Sequence, residues 1–125
     1  MDLELFAGIP VSDYPRAVAW YERLLGGPPT FHAHDTECVW TLAEHRSIYV
    51  VLAAAHAGHA MVTFFPDDLD RFVDAAAARG IQPRERETYG NGVRKVTFRD
   101  PDGNEIGVGG ASSDAYTTND AQVDG

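Results

Sequence analysis

The chain has 125 residues and a formal net charge of −9, from 19 acidic and ten basic residues. Nucleic-acid binding relies on basic patches that displace counterions, so this balance argues against a DNA- or RNA-binding protein. No apolar run approaches the length of a membrane span, and the single cysteine cannot form an internal disulfide. We therefore expect a cytoplasmic, one-domain protein that does not bind membranes.

The first elements in the chain are a strand over residues 3–11 and a helix that begins after Asp13. Asp13 is a good N-cap, and Pro15 is tolerated in the first turn because that turn needs no amide donor. Apolar side chains then recur at helical spacing up to Leu25. Gly26 and Gly27 predict the end of the helix, because glycine adopts the left-handed conformation at low cost.

Three shorter strands are predicted after this helix, over residues 30–33, 37–43 and 47–53. A polar turn over residues 43–46 separates the last two. Cys38 lies in the second of these strands, and we expect it to pack as a small hydrophobic side chain.

The same order of elements returns about 55 residues later, which indicates an internal repeat. The second unit has a strand over 60–65, a helix capped by Asp67 or Asp68 and ended by Gly80, and strands over 82–88, 93–99 and 105–109. The sequence therefore predicts two βαβββ modules, residues 3–53 and 60–109, in a single domain over 1–110. Residues 111–125 are acidic and aperiodic, and we expect a flexible tail.

The predicted fold class is α+β, with the strands of both modules in a curled mixed sheet and the helices on its outer side. Each module has one helix, which covers only one face of its strands. The other face must meet a partner, the other module or a ligand. Two such faces curling towards each other form a cup suited to a small molecule.

The densest turn chemistry lies between the last two strands, in the segment Phe98-Arg99-Asp100-Pro101-Asp102-Gly103-Asn104-Glu105-Ile106. Proline presets φ for a turn, while glycine and asparagine tolerate positive φ. The segment therefore predicts a β-hairpin.

This hairpin, the tandem modules and the helix pattern Asp13…Ala17-Val18-Ala19-Trp20-Tyr21…Leu24-Leu25-Gly26 together resemble the vicinal oxygen chelate superfamily. That superfamily includes glyoxalase I, extradiol dioxygenases and bleomycin-resistance proteins. The resemblance covers residues 3–109 and implies the fold. It does not imply one reaction, because members with these motifs have unrelated chemistries.

The resemblance also implies where metal-dependent members carry their ligands. Those positions fall here on Phe6, Met61, Gly107 and a position within residues 48–51. None of these residues is a carboxylate or an imidazole, the ligands that divalent metals prefer. We therefore expect no metal cofactor.

Alternatives remain open at this stage. Because residues two apart share a strand face, His59 and Glu105 could form a displaced divalent-metal site. An enzyme of the glyoxalase or dioxygenase type could instead use Glu105, His59 or Tyr49 in acid–base catalysis. His32 and His34 could hold a transition metal, although exposed histidines are the simpler interpretation. A filled cup would instead indicate an interaction module.

Strand alternation predicts which side chains line the cup. The leading hypothesis is a metal-independent small-molecule binder, similar to drug-sequestering bleomycin-resistance proteins and homodimeric like many relatives. The aromatic lining and the acidic chain suggest a flat cationic ligand, held by stacking and cation–π contacts. The predicted ligand-binding residues are Phe6, Trp40, Tyr49, Met61, Thr63, Lys95, Thr97 and Glu105.

Overall fold

The computed structural model describes residues 1–111, in which eight strands and two α-helices form two βαβββ modules. The first module contains β1 (Leu5–Val11), α1 (Tyr14–Leu25), β2 (Phe31–His34), β3 (Glu37–Ala43) and β4 (Arg46–Leu52). A short 3₁₀ turn (Ala54–His56) leads to the second, which contains β5 (Met61–Phe64), α2 (Leu69–Ala78), β6 (Glu85–Thr88), β7 (Arg94–Arg99) and β8 (Glu105–Gly110). Residues 112–125 of the predicted tail lie outside the described residues.

Each module forms its own four-stranded mixed sheet. The strand orders are β1-β4-β3-β2 and β5-β8-β7-β6, with the edge strands β1 and β5 parallel to their neighbours and the other pairs antiparallel. The predicted α+β fold with two modules is confirmed. The strands lie in two separate sheets, and no strand of residues 1–111 pairs across them.

The helices begin and end where the cap residues predict. Asp13 accepts a hydrogen bond from the Arg16 amide at 3.2 Å, and Asp68, the second of the two candidates, accepts one from Arg71 at 3.0 Å. After α2, Gly80 has a φ of 90°, and the Ile81 amide donates back to the Ala76 carbonyl. That pattern satisfies carbonyls that the helix end leaves free.

Among the strands that begin later than predicted, β6 shows the largest shift. β6 begins at Glu85 instead of residue 82. Pro83 lies in the missing part and has no amide hydrogen to donate to a ladder. The Arg84 amide does donate to the Thr97 carbonyl at 2.8 Å, just before the strand begins.

Both modules contribute to a single hydrophobic core. The helices contact each other, and the Arg79 guanidinium donates to the carbonyls of Arg23 and Leu24 at the end of α1. A cation at this position also suits the negative end of the helix dipole. The buried apolar side chains are Ile9, Val11, Ala17, Trp20, Tyr21, Leu24, Cys38, Trp40, Ile48, Val50, Leu69, Val73, Ala76, Ile81, Val96, Phe98, Ile106 and Val108.

The predicted hairpin between β7 and β8 contains a buried carboxylate, that of Asp100. One of its oxygens accepts the backbone amides of Asp102 and Asn104, each at 2.9 Å. The other accepts the Tyr21 hydroxyl at 2.8 Å and the Asn104 side-chain amide at 2.9 Å. Four hydrogen bonds thus satisfy a charge that would otherwise be costly to bury.

The same hairpin also holds the first module. The Asn104 side chain donates to the Pro10 carbonyl at 2.8 Å and accepts the Ala60 amide at 2.9 Å. Asp102 accepts both the backbone amide and the hydroxyl of Ser12, just ahead of α1. We call Tyr21, Asp100, Asp102 and Asn104 the hairpin hub, because these side chains join β1, α1, β5 and β8.

None of the helices in residues 1–111 combines the length and the apolar character needed to cross a membrane.

We predict that Tyr21→Phe lowers the free energy of unfolding by about 2 kcal/mol, because Asp100 loses a hydrogen bond donor within the core. Urea denaturation measures this loss. Tyr89→Phe is the matched control, since Tyr89 is exposed and its change stays within about 0.5 kcal/mol. Equal stability of wild type and Tyr21→Phe would show that the Tyr21–Asp100 hydrogen bond does not stabilise the fold.

Tyr21 also predicts a loss of stability at alkaline pH. Burial raises the pKa of its phenol above the usual value, and the nearby Asp100 carboxylate raises it further. Below pH 10 the phenol is protonated in both states, so its contribution is complete. Above about pH 10 only the unfolded chain ionises it, which costs about 1.4 kcal/mol of stability per pH unit.

Urea titrations between pH 9 and pH 11.5 test this expectation. Burial raises the pKa of Tyr14 as well, so the wild type combines both contributions. The slope of stability against pH should be shallower in Tyr21→Phe by the contribution of one phenol. Parallel curves for the two proteins would contradict it.

Candidate functional site

Each sheet has one face covered by helices and one face that points away from them, here called the open face. On β1 the buried Ile9 and Val11 point to the helices, which places Phe6 and Gly8 on the open face. On β5 the same alternation places Met61 and Thr63 there. The predicted facing of β1 and β5 agrees with this arrangement.

The open face of the first sheet is aromatic. Tyr49 pairs with Gly8 in the β1–β4 ladder, and its ring covers the glycine. A Cβ at Gly8 would lie 2.6 Å from the Tyr49 hydroxyl oxygen, closer than side-chain atoms approach each other. Phe6 is 47% exposed beside this pair. Gly8 therefore allows the Tyr49 ring to lie flat on the sheet.

The open face of the second sheet is charged. The Lys95 ammonium lies 3.4 Å from one oxygen of Glu105, and the Arg99 guanidinium lies 3.4 Å from the other. All three side chains are partly buried, Glu105 most of all. One carboxylate is therefore held between two cations on the β7–β8 ladder.

Lys95 also lies across Gly107. A Cβ at Gly107 would come within 2.7 Å of both the Lys95 Cε and the Thr63 Oγ1. The absence of a side chain at this position thus makes room for the lysine, as Gly8 makes room for Tyr49.

Two further predicted residues share this open face but differ in exposure. Met61 is 75% exposed on the edge strand. Thr97 pairs with Gly107 and Glu85 and is only 2% exposed, so its neighbours cover it. Thr97 supports this face without offering a free hydroxyl on it.

Trp40 does not lie beside Tyr49 as we expected. It lies on the helix-covered face of β3, where its indole N–H donates to the Gly27 carbonyl at 3.0 Å and its ring packs 5.9 Å from Tyr21. Val39, on the opposite face, is buried as well. The strand therefore has no exposed–buried alternation at this point from which its facing could be read.

Of the four positions that the resemblance assigns to metal ligands, the three that fall on single residues, Phe6, Met61 and Gly107, carry no ligating side chain. Within residues 1–111, no group of three or more His, Cys, Asp or Glu side chains lies close enough to hold a metal ion. Of the alternative pair, Glu105 is engaged by Lys95 and Arg99, and His59 is exposed ahead of β5.

The other candidate reactive side chains have ordinary surroundings. His34 pairs with Glu37 at 3.2 Å in the β2–β3 hairpin. Cys38 is fully buried, and burial raises the pKa of its thiol. Both features favour the neutral thiol over a nucleophilic thiolate.

The structure contains a cleft between the modules, where the sequence predicts a cup, but most of its lining differs from the predicted lining. Its volume is about 810 Å³, and its walls come from β1, β3 and β4 of the first module and from β5 and the loop after it in the second, with one residue from each helix. Only Trp40 and Thr63 among the predicted ligand-binding residues line it, together with Leu5, Ala7, Leu25, Thr41, Leu42, Ala43, Arg46, Ser47, Ile48, Val62, Phe64, Phe65, Pro66, Asp67 and Phe72. No local sequence pattern identifies these residues, because the shape of the cleft depends on how the two modules pack together.

Paired βαβββ modules with one open face each define the class of fold, and comparison with known proteins places the chain within it. The model of the glyoxalase/bleomycin resistance protein/dioxygenase superfamily matches residues 5–108. The chain belongs to this superfamily. None of the curated proteins is detectably similar to it.

Solved structures agree with this assignment. A glyoxalase/bleomycin resistance protein from Catenulispora acidiphila is 53% identical, with a TM-score of 0.84, over 86% of this chain and 97% of that one. A bleomycin-binding protein complexed with bleomycin is 22% identical, with a TM-score of 0.70, over 87% and 98% of the two chains. A lactoylglutathione lyase from Agrobacterium tumefaciens is 19% identical, with a TM-score of 0.70, over 87% and 93%. These last two likenesses concern the fold alone.

We predict that Gly107→Ala lowers the free energy of unfolding by about 2 kcal/mol, because the new methyl group overlaps Lys95 and Thr63. The cost should fall by at least about 0.5 kcal/mol in a Lys95→Ala background, where one of the two clashes is absent. Urea denaturation of the four proteins in this double-mutant cycle measures both effects. Gly90→Ala is the control, since nothing lies within 4 Å of a Cβ at Gly90. An additive cycle would mean that Lys95 does not lie on Gly107.

Proposed function

We propose that the protein binds a small molecule without a metal ion, in the manner of the drug-sequestering members of its superfamily. The observation that carries the proposal is the identity of three open-face residues. Phe6, Met61 and Gly107 stand where metal-dependent relatives carry ligands, and none of them can ligate a hard divalent ion. Such a surface favours binding by shape, stacking and charge.

The first open face favours a flat aromatic ligand. Phe6 and Tyr49 offer ring surfaces on which such a ligand can stack. Glu37 lies on the same face of β3, and the chain as a whole is strongly acidic. A positive charge on the ligand is therefore favoured by the protein's field and by cation–π contact with the rings.

The exposed apolar side chains support a homodimer. Phe6 and Met61 occupy corresponding places in the two modules and are both well exposed. In a twofold dimer, Phe6 of each copy would meet Met61 of the other. Such an arrangement would bring an aromatic and a charged open face together, and the ligand would lie between them.

Calorimetric and thermal-shift titrations with bleomycin and the planar cation berberine test the proposed binding. A ligand at 100 times its Kd should stabilise the wild type by about 2.7 kcal/mol. Phe6→Ala and Tyr49→Ala should weaken binding about tenfold or more, while Tyr89→Ala, at an exposed aromatic position beyond the end of β6, should leave it unchanged. Failure of every planar cation to bind would contradict the cationic ligand.

Elemental analysis of protein purified without an affinity tag tests metal independence. We expect far less than one divalent ion per chain and no effect of a chelator on stability. A stoichiometric metal that disappears in His59→Ala or Glu105→Ala would overturn the proposal and favour an enzyme with a displaced metal site.

Sedimentation equilibrium tests the dimer. We expect the wild type to sediment as a dimer and the double variant Phe6→Glu, Met61→Glu to sediment as a monomer, because the two introduced charges would be buried unpaired. A wild-type monomer at micromolar concentration would contradict this part of the proposal.

A further inference from the structure

Lys95 is the only lysine in the chain, beside nine arginines. It lies on the open face of the second sheet, where its side chain is 24% exposed. A lone lysine among arginines would be unremarkable on the outer surface. Its place on a candidate binding surface makes it a cation that a ligand can reach.

The ammonium of Lys95 lies close to the place where metal-dependent relatives hold a cation. The resemblance assigns a metal-binding carboxylate to position 107, and the Lys95 Nζ lies 3.5 Å from where a Cβ of that residue would be. A carboxylate side chain at 107 would collide with the lysine. We propose that Lys95 takes the electrostatic place of the metal and anchors a carboxylate group of the ligand.

The hydrogen bonds of Lys95 leave capacity for such a group. An ammonium has three N–H donors. Within residues 1–111 its polar contact is with Glu105, which Arg99 also engages. Arg99 also lies 4.0 Å from the Glu85 carboxylate, so the formal charges of Lys95, Arg99, Glu85 and Glu105 balance. An anion would be held by the remaining N–H donors of Lys95, and partial burial strengthens such a contact.

The geometry also explains why this cation is a lysine. Its unbranched stem lies against the backbone of Gly107 and ends in a compact charge. A guanidinium is a wide, planar fork suited to bidentate pairing, so it would not fit the same narrow path in the same way. Arg99, which lies at the side of Glu105, has that fork.

This inference rests on the proposed function and sharpens its ligand class. The first open face favours an aromatic cation, and Lys95 adds a preference for a carboxylate. The ligand class is then an aromatic zwitterion, with stacking on Tyr49 and Phe6 and the carboxylate at Lys95.

Three matched probes separate these charges: 2-naphthylmethylamine, 2-naphthylacetate and 3-(2-naphthyl)alanine. Protein labelled with [¹³Cε]lysine gives a single lysine signal because the chain has one lysine. We expect 2-naphthylacetate and naphthylalanine to shift this signal and the amine to leave it unmoved. This measurement uses the wild type, so it does not depend on the folding of a variant.

Lys95→Met should weaken binding of the two carboxylates at least about tenfold and leave binding of the amine unchanged, as expected for a lost charged hydrogen bond. Arg86→Met is the matched control for net charge, because Arg86 lies on the same sheet but pairs with the inward-facing Val96. Lys95→Gln is a second variant that removes the charge. Its amide can still donate to Glu105, so it separates loss of the charge from loss of the Glu105 contact.

The possible results distinguish the two proposals. Carboxylates that bind without moving the Lys95 signal, or that bind Lys95→Met as tightly as wild type, would overturn the role of Lys95 and leave small-molecule binding intact. If none of the naphthyl probes moves the signal while berberine still binds, the zwitterionic class is wrong. If neither the naphthyl probes nor the planar cations bind, the proposed function itself fails.

Discussion

A single buried carboxylate, that of Asp100, helps to fix the position of one module relative to the other. Asp100 lies in the hairpin of the second module, yet one of its partners is Tyr21, on the helix of the first. Its own hairpin supplies three of the four hydrogen bonds, and Tyr21 supplies the fourth, so the buried charge is fully satisfied only when the hairpin and the helix meet in this arrangement. Asn104 and Asp102 extend the constraint to Pro10 and Ser12. The relative position of the two sheets, and the cleft between them, follow from these contacts.

The two modules share a scaffold but present different surfaces. In the first, a glycine on β1 accommodates a tyrosine of β4; in the second, a glycine on β8 accommodates a lysine of β7. In both modules a large side chain thus lies over a glycine, and the result is an aromatic open face in the first and a charged open face in the second. Ligand selectivity would then arise from the difference between the modules instead of from either alone.

Local physical chemistry made much of the fold predictable. Helix periodicity and the caps Asp13 and Gly80 located both helices, because these signals depend on neighbours in the chain. Alternation located the open faces of β1 and β5, where one face is buried and the other exposed. It failed at Trp40, because Val39 is buried from the opposite side and the pattern loses its period there.

Such local signals could not predict the contacts between the modules. Tyr21 and Asp100 are 79 positions apart, and nothing near either residue indicates the other. The cleft has the same origin, since its walls belong to strands and helices of both modules. Lys95 and Glu105 were predicted as polar anchors from facing alone, but their pairing with each other depends on the register of β7 against β8.

The hairpin hub has a consequence for how this architecture can diversify. Its side chains lie at the ends of β1 and β8 and along α1, separate from the middle of the open faces. Residues such as Phe6, Tyr49, Met61 and Lys95 can therefore change without disturbing the interlock that determines the fold. Substitutions on the open faces can therefore change which ligand is bound while the contacts that join the two modules stay intact.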